Sequence, residues 1–305
     1  MLPVARHAPE EATLREPAPT LVAAVLVSYE SATDLPTCIG SLPAAAAPHE
    51  VEVVVVDNAS RDDSAGVARA AGVKVIENPA NVGYSAAANR GAAAVHAPWL
   101  LVANPDTRLE PGSLARLLAT GEADPRIGCV GPHLRNPDGT DYPTGRGFPS
   151  LLVGGLHALL APVWPGNPAT RRYHLTGLDR SRPVAVDWVS GACMLLRRAA
   201  FDAVGGFDPG YFMYFEDMDL CLRLQRAGWR VVYDGQAHVE HTVGGSTRSA
   251  PYRKVVHHHR STVRFYRRRY AGDPRVLLTP LVAAGLAVRG LVSLARTARE
   301  RRRGA

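Results

Sequence analysis

The run TLVAAVLVS at residues 20–28 is apolar on both faces of an extended chain, and such a strand is stable only when it is covered on both sides. Further β-rich runs follow at 51–56 (VEVVVV), 73–77, 99–103 and 127–131, with helices predicted at 31–42, 62–71, 84–96 and after Pro111. Strands spaced by helices of about 10–15 residues make right-handed βαβ units on a mostly parallel sheet. The later sequence predicts a strand at 187–196, a helix at 217–227 ended by Gly228, and a strand at 229–233. Between them, 143–183 is rich in Pro and Gly and reads as an excursion over the sheet, with an apolar segment at 151–160. At 305 residues, 46% of them hydrophobic, the chain can bury a large core without a metal or disulfide staple. The expected organisation is a mobile leader at 1–19, one α/β domain at 20–250 and a basic helical appendage at 251–305.

Charge is unevenly spread along this chain. From Tyr252 to Ala305 one lysine and thirteen arginines face only Asp273 and Glu300, a net of +12; the whole chain carries +7, so the preceding 251 residues carry −5. A basic end on an acidic body points to an anionic membrane surface, and no aromatic–basic module supports a nucleic-acid partner. Residues 276–288 are apolar or small, short of the about 20 that a bilayer crossing needs but suited to a helix lying in the interface. His257-His258-His259 is expected to make surface or headgroup contact, because consecutive helical residues point in different directions. Cys38, Cys129, Cys193 and Cys221 form no C-x-x-C pair and read as reduced core thiols. The first residues lack the apolar segment of a secretory signal, so a cytoplasmic location is expected.

Ligands of open parallel sheets bind beyond the carboxyl ends of the strands, so the polar residues there carry the functional weight. Neither G-x-G-x-x-G nor G-x-x-x-x-G-K-[ST] occurs, which argues against nicotinamide dehydrogenases and P-loop nucleotidases. The first strand leads into Ser28-Tyr29-Glu30-Ser31, the second into Asp57-Asn58-Ala59-Ser60. Ser60 can cap the following helix and leave Asp57 free to accept from the N–H groups of a base or sugar. The third strand leads into NPANVGYS at 78–85 and an alanine-rich helix, a pattern that serves close ligand approach or close helix–sheet packing. Asn104-Pro105-Asp106 after the fourth is an acidic turn able to hold a divalent cation through one carboxylate, with diphosphate oxygens and water completing an octahedron. The densest cluster is Tyr211–Asp219 (YFMYFEDMD), where Glu216, Asp217 and Asp219 follow an aromatic run. Capping of a helix dipole explains one or two of these acids. The aromatic approach adds an apolar wall that raises a carboxyl's proton affinity, as a general base requires. His241 stands just before Gly244-Gly245 and is a candidate ligand or an ordinary structural histidine.

In their order, VLVSYES, VVVVDNAS, NPANVGYSAAANRG, NPD, WVSGACMLLRR, GGFDPGYFMYFEDMDLCLRLQRAGWRV and EHTVGGST resemble the family 2 inverting glycosyltransferases of GT-A fold, over residues 20–247. The stretch NPDGTDYPTGRGFPSLLVGGLHALLAPVWPGNP further resembles actinobacterial enzymes that add rhamnose to polyprenyl-diphosphate N-acetylglucosamine, building the linker between peptidoglycan and arabinogalactan. The resemblance implies a Rossmann-like, mixed but mostly parallel sheet with flanking helices. It implies Asp217 as catalytic base; Ser28, Glu30 and Asp57 at the nucleotide sugar, with Asn81, Gly83, Asn104 and Asp106 beside them; and Trp188, Gly191 and Glu216 near the transferred sugar or the acceptor. Asp106 and His241 would hold Mg²⁺ or Mn²⁺, although the family's usual D-x-D here reads Asn104-Pro105-Asp106 and loses one carboxylate. The implied partners are a dTDP-rhamnose donor, a lipid-linked sugar acceptor, the anionic cytoplasmic face of the plasma membrane and a second copy of the chain. Two alternatives stay open: a UDP-sugar with a polysaccharide acceptor, and a non-catalytic nucleotide-sugar-binding or membrane-scaffold protein. The intact Glu216-Asp217 pair and His241 argue against the last.

Overall fold

The computed structural model describes residues 20–161, 163–242 and 251–290. The leader expected at 1–19, the glycine pair at 244–245 and the arginine-rich end at 291–305 lie outside the described residues. The first half alternates as expected: β1 (Leu21–Ser28), α1 (Leu35–Ala46), β2 (Glu50–Asp57), α2 (Ser64–Ala70), β3 (Lys74–Glu77), α3 (Tyr84–Ala93) and β4 (Trp99–Ala103). Then come β5 (Thr107–Leu109), α4 (Ser113–Glu122), β6 (Ile127–Arg135), β7 (Asp141–Tyr142), α5 (Leu151–Leu160), α6 (Pro168–His174), β8 (Val184–Ala185), β9 (Cys193–Arg197), α7 (Arg198–Ala203), α8 (Glu216–Arg226), β10 (Arg230–His241) and α9 (Pro251–Arg269). The sheet runs β3-β2-β1-β4-β9-β6-β10-β5. Its first four strands are parallel, β9 lies antiparallel between β4 and β6, and β10 returns parallel to β6.

β1 is covered on both sides, as its composition demands. Ala23, Val25 and Val27 face one core with α3 and α8, whereas Val22, Ala24 and Leu26 face a second core with α1 and α4. Gly91 lets α3 lie directly on the sheet, since a Cβ there would stand 2.4 Å from Val25 Cγ1. The excursion at 143–183 contains the helical pair α5 and α6. The strand expected over 187–196 begins only at Cys193. Before it, Trp188 pairs with Arg146 in a lone bridge and the backbone then turns, which points the Gly191 N–H out of the sheet toward α8.

The largest departure from the sequence reading concerns α9, which packs on the body instead of standing apart from it. Phe265 is 3% exposed and its ring lies 6.0 Å from Phe148 and 5.7 Å from Phe215. Arg264 and Arg268 both pair with Asp208, and Arg268 Nε also reaches Asp219 Oδ1 at 3.0 Å. These two arginines are therefore engaged inside the protein. The histidine triplet is not a bare surface feature either: His257 stacks on Phe212 at 4.4 Å, and His258 lies 5.3 Å from Phe215. After α9 a 3-10 turn at Pro274–Leu278 leads into helical residues 279–290, where Leu281 and Val288 are exposed. Among the described residues no helix is long and apolar enough to cross a membrane.

Because Phe265 fills the main core, Phe265→Ala is expected to cost about 3–5 kcal/mol in urea unfolding. A loss below about 1 kcal/mol, the size of an ordinary surface substitution, would show α9 to be a detachable tail.

Candidate active site

The carboxyl ends of β1, β2 and β4 and the start of β9 meet at one edge of the sheet. Ser28 and Asp57 are register partners, and Asn104, directly after β4, donates its backbone N–H to Ala192 O at 2.9 Å. Gly191 N donates to Asp217 Oδ2 at 2.8 Å, bringing the first turn of α8 onto the same edge. Glycine is needed there: a Cβ at Gly191 would lie 3.1 Å from Asp217 Cβ. Farther along, Thr107 of β5 is paired with His241 of β10, so Asp106 and His241 meet, Oδ1 to Nε2, at 3.3 Å. Residues 57, 106, 217 and 241 thus lie along one edge of the sheet.

The acid pair is asymmetric. Asp217 Oδ1 accepts from Met218 N and Oδ2 from Gly191 N, each at 2.8 Å, and the charge of Arg146 adds to their effect. Burial still raises the Asp217 pKa, against those three influences. Glu216 is 9% exposed, and its Oε2 has no hydrogen-bond partner. Burial first, and then the charge of Asp217, push Glu216 up to about 8. Both carboxyls are thus raised by burial, but only Asp217 receives backbone N–H groups that oppose the rise.

Tyr84 and Asn58 are functional candidates that the sequence reading did not single out. Tyr84 Oη donates to Gly191 O at 3.2 Å and is buried close enough to Glu216, Asp217 and Asp106 for their charges to raise its pKa further, after burial itself. Its N–H donates to Phe212 O at 2.8 Å, and this close approach explains Gly83: at φ +85° a Cβ would stand 2.7 Å from Phe212 O. Asn58 ties the loop after β3 to the end of β2 by donating to Asn81 Oδ1 and Gly83 O and accepting from Asn78 and Val82 N. The only sequence signal for either was a polar side chain inside an otherwise small-residue motif.

Several expected details differ. Asp57 is not left free, because Ser60 donates to it through both N–H and Oγ, and α2 starts later, at Ser64. Ser60 Oγ also accepts from Glu30 N, which holds Glu30 at φ +52°. Asn81 sits exposed at the rim. Trp188 is 4% exposed and carries the Arg146 guanidinium 4.8 Å from its ring, so it lines the wall beneath Arg146.

Asp106 Oδ1 and His241 Nδ1 are buried without hydrogen-bond partners, as is Ser28 Oγ. A carboxylate oxygen and an imidazole nitrogen suit Mn²⁺ or Mg²⁺. Among the described residues no set of three His, Cys, Asp or Glu side chains converges, so diphosphate and water would have to fill the other positions.

Residues 18–270 match the family described as Glycosyltransferase like family 2. The chain belongs to that family. It is 40% identical over 293 residues to the N-acetylglucosaminyl-diphospho-decaprenol L-rhamnosyltransferase of Mycobacterium tuberculosis, covering 92% of this chain and 94% of the relative. Among solved structures it resembles the mannosyltransferase PcManGT of Pyrobaculum calidifontis in complex with GDP-Man and Mn²⁺, with a TM-score of 0.58, 16% identity and coverage of 92% and 76%. It also resembles GalNAc-T7 with UDP, GalNAc and Mn²⁺, with a TM-score of 0.54, 18% identity and coverage of 74% and 44%. The fold of this glycosyltransferase is accordingly GT-A.

Glu216 gives the glycosyltransferase a pH signature. Its folded pKa of about 8 exceeds its ordinary value, so the folded state keeps a proton that the unfolded state has released, and stability falls as pH rises from the ordinary carboxylate range to about 8. Glu216→Gln should flatten that fall. An equally steep pH dependence of the thermal midpoint in the variant would move the raised proton affinity to another group.

Proposed function

We propose that this glycosyltransferase moves L-rhamnose, with inversion, from dTDP-rhamnose to N-acetylglucosamine carried on a polyprenyl diphosphate. The name of the mycobacterial relative specifies that acceptor class and sugar, and 40% identity over 92% of this chain supports carrying both across. The observation that carries the chemistry is the Asp217 carboxylate, fixed at the sheet edge by the Gly191 N–H beside Glu216, whose proton affinity burial raises.

In this reading Asp106 and His241 bind Mg²⁺ or Mn²⁺, which when bound offsets negative charge on the leaving diphosphate. Ser28, Glu30 and Asp57 bind the nucleoside. An acceptor hydroxyl attacks C1 from the face opposite the diphosphate: the new C1–O bond forms, the old C1–O bond to phosphate breaks, and Asp217 Oδ takes the hydroxyl proton. Glu216, protonated, donates a hydrogen bond to the sugar or the acceptor, and the Tyr84 hydroxyl holds the Gly191 carbonyl so that the opposite N–H stays on Asp217. Exposed apolar residues after α9, such as Leu277 and Leu281, would rest on an anionic cytoplasmic membrane face without crossing it.

Asp217→Asn should lower transfer by about 10²–10⁴-fold while dTDP affinity changes little, as expected for loss of a general base. Near-normal transfer would move the base elsewhere. His241→Ala should abolish the Mn²⁺ dependence of dTDP binding in a thermal-shift titration. The acceptor is tested by incubating dTDP-rhamnose with lipid-linked N-acetylglucosamine and weighing the lipid product. A gain of one deoxyhexose is expected, whereas stronger stabilisation by UDP than by dTDP would favour a UDP-sugar donor.

A further inference from the structure

Arg146 is held by aromatic faces and a carbonyl: its guanidinium lies 4.8 Å from the Trp188 ring centroid and 5.9 Å from that of Tyr173, and its Nε donates to Pro143 O at 2.8 Å. This keeps the planar fork in place on Trp188, three residues before the Gly191 N–H that holds Asp217. Two histidines stand next to the fork. The ring of His157 on α5 lies 4.9 Å from Tyr173 and 5.4 Å from His174 on α6. His157 Nδ1 bonds Thr170 Oγ1, and His174 Nδ1 is buried without a partner. Burial first, and nearby arginines second, keep both rings neutral; Arg146 and Arg289 act on His157, and Arg146 acts on His174.

Two further observations say what this place faces. In the sheet order it belongs to the β9-β6-β10 half, because Arg146 follows β7 on the edge of β6, whereas Ser28 and Asp57 end β1 and β2 on the other side of β4. On α5, Leu152, Leu156 and Leu159 repeat at helical spacing and are 71%, 39% and 74% exposed. Cationic donors next to an exposed apolar stripe match an amphiphile with a charged head.

We infer that Arg146, His157 and His174 form the subsite for the diphosphate of a prenyl-linked acceptor, with the α5 leucine stripe receiving the first prenyl units. This inference rests on the acceptor class proposed above. An arginine fork pairs bidentately with phosphate oxygens, and neutral imidazoles add single N–H donors. The site places the acceptor sugar between this subsite and Asp217, opposite the donor.

The test uses the full chain and two acceptors, N-acetylglucosamine linked to farnesyl diphosphate and its uncharged farnesyl glycoside. Arg146→Gln should reduce the preference in kcat/KM for the charged acceptor by about tenfold or more, the scale of a lost charge-assisted pair. Arg146→Lys should recover part of it, since the charge is kept and only the planar fork is lost. Equilibrium binding of farnesyl diphosphate with dTDP saturating should weaken in parallel, with dTDP affinity unchanged. An unaltered acceptor preference, or dTDP binding that weakens along with farnesyl diphosphate, overturns the inference, the second result by giving Arg146 to the donor. A wild type that transfers to neither acceptor but binds farnesyl diphosphate through Arg146 supports the subsite and strikes the proposed function alone.

Discussion

Two neighbouring carboxyl groups withdrawn from water cannot both stay ionised, and the edge of the sheet is organised around that limit. Glu216 and Asp217 open α8, the first buried and the second half-buried, and their surroundings differ by two backbone N–H groups, both bonded to Asp217. Those groups oppose the rise in proton affinity at Asp217, whereas Glu216 is pushed up to about 8. This difference requires a backbone amide where a regular strand would place none. β9 therefore begins late, at Cys193, and Gly191 has no Cβ to hold the two segments apart. Tyr84 closes the arrangement from the third side by donating to the carbonyl of the same glycine. Strand, helix and loop positions at this edge all contribute to fixing the Asp217 carboxylate.

Backbone strain marks the same edge. Among the described residues five non-glycine positions have positive φ, and four of them, Glu30, Ala59, Tyr214 and Phe215, flank the crevice. Each such position costs on the order of 1–3 kcal/mol and persists only when its surroundings hold it. Those surroundings are visible: Ser60 holds Glu30 while donating to Asp57, and Phe215 is clamped by His258 and Phe265. The histidine triplet and the aromatic run, which read as two separate features in the sequence, are halves of one clamp.

What could be read in advance follows from the range of the interactions. β1, β2 and β4 announce themselves because burial on both faces imposes an unbroken apolar run, a local property of the chain. The acids at strand ends were legible for the same reason: the sheet edge follows from strand boundaries. β5, β7 and β8 have three, two and two residues and exist only through their partners on β6 and β10, so no local pattern could give them away. Asp57 illustrates a subtler limit. Its place at the edge was legible, but its engagement by Ser60 depends on a turn conformation with Ala59 in the left-handed region. Net charge along the basic helix does not reveal its partners within the chain, because Asp208 and Asp219 lie 49 to 60 residues upstream of the arginines they pair with.

That neutralisation links the basic helix to the acid pair of α8. Asp219 has no solvent exposure and is satisfied by Tyr211, Arg223 and Arg268 together. Withdrawing Arg268 would leave a buried carboxylate short of a partner, a state that costs several kcal/mol when nothing replaces the lost charge. Asp219 lies two residues beyond Asp217, on the same turn of α8. A motion of α9 away from the body therefore carries α8 with it or breaks that ion pair, so one buried carboxylate ties the basic helix to the turn that carries the acid pair.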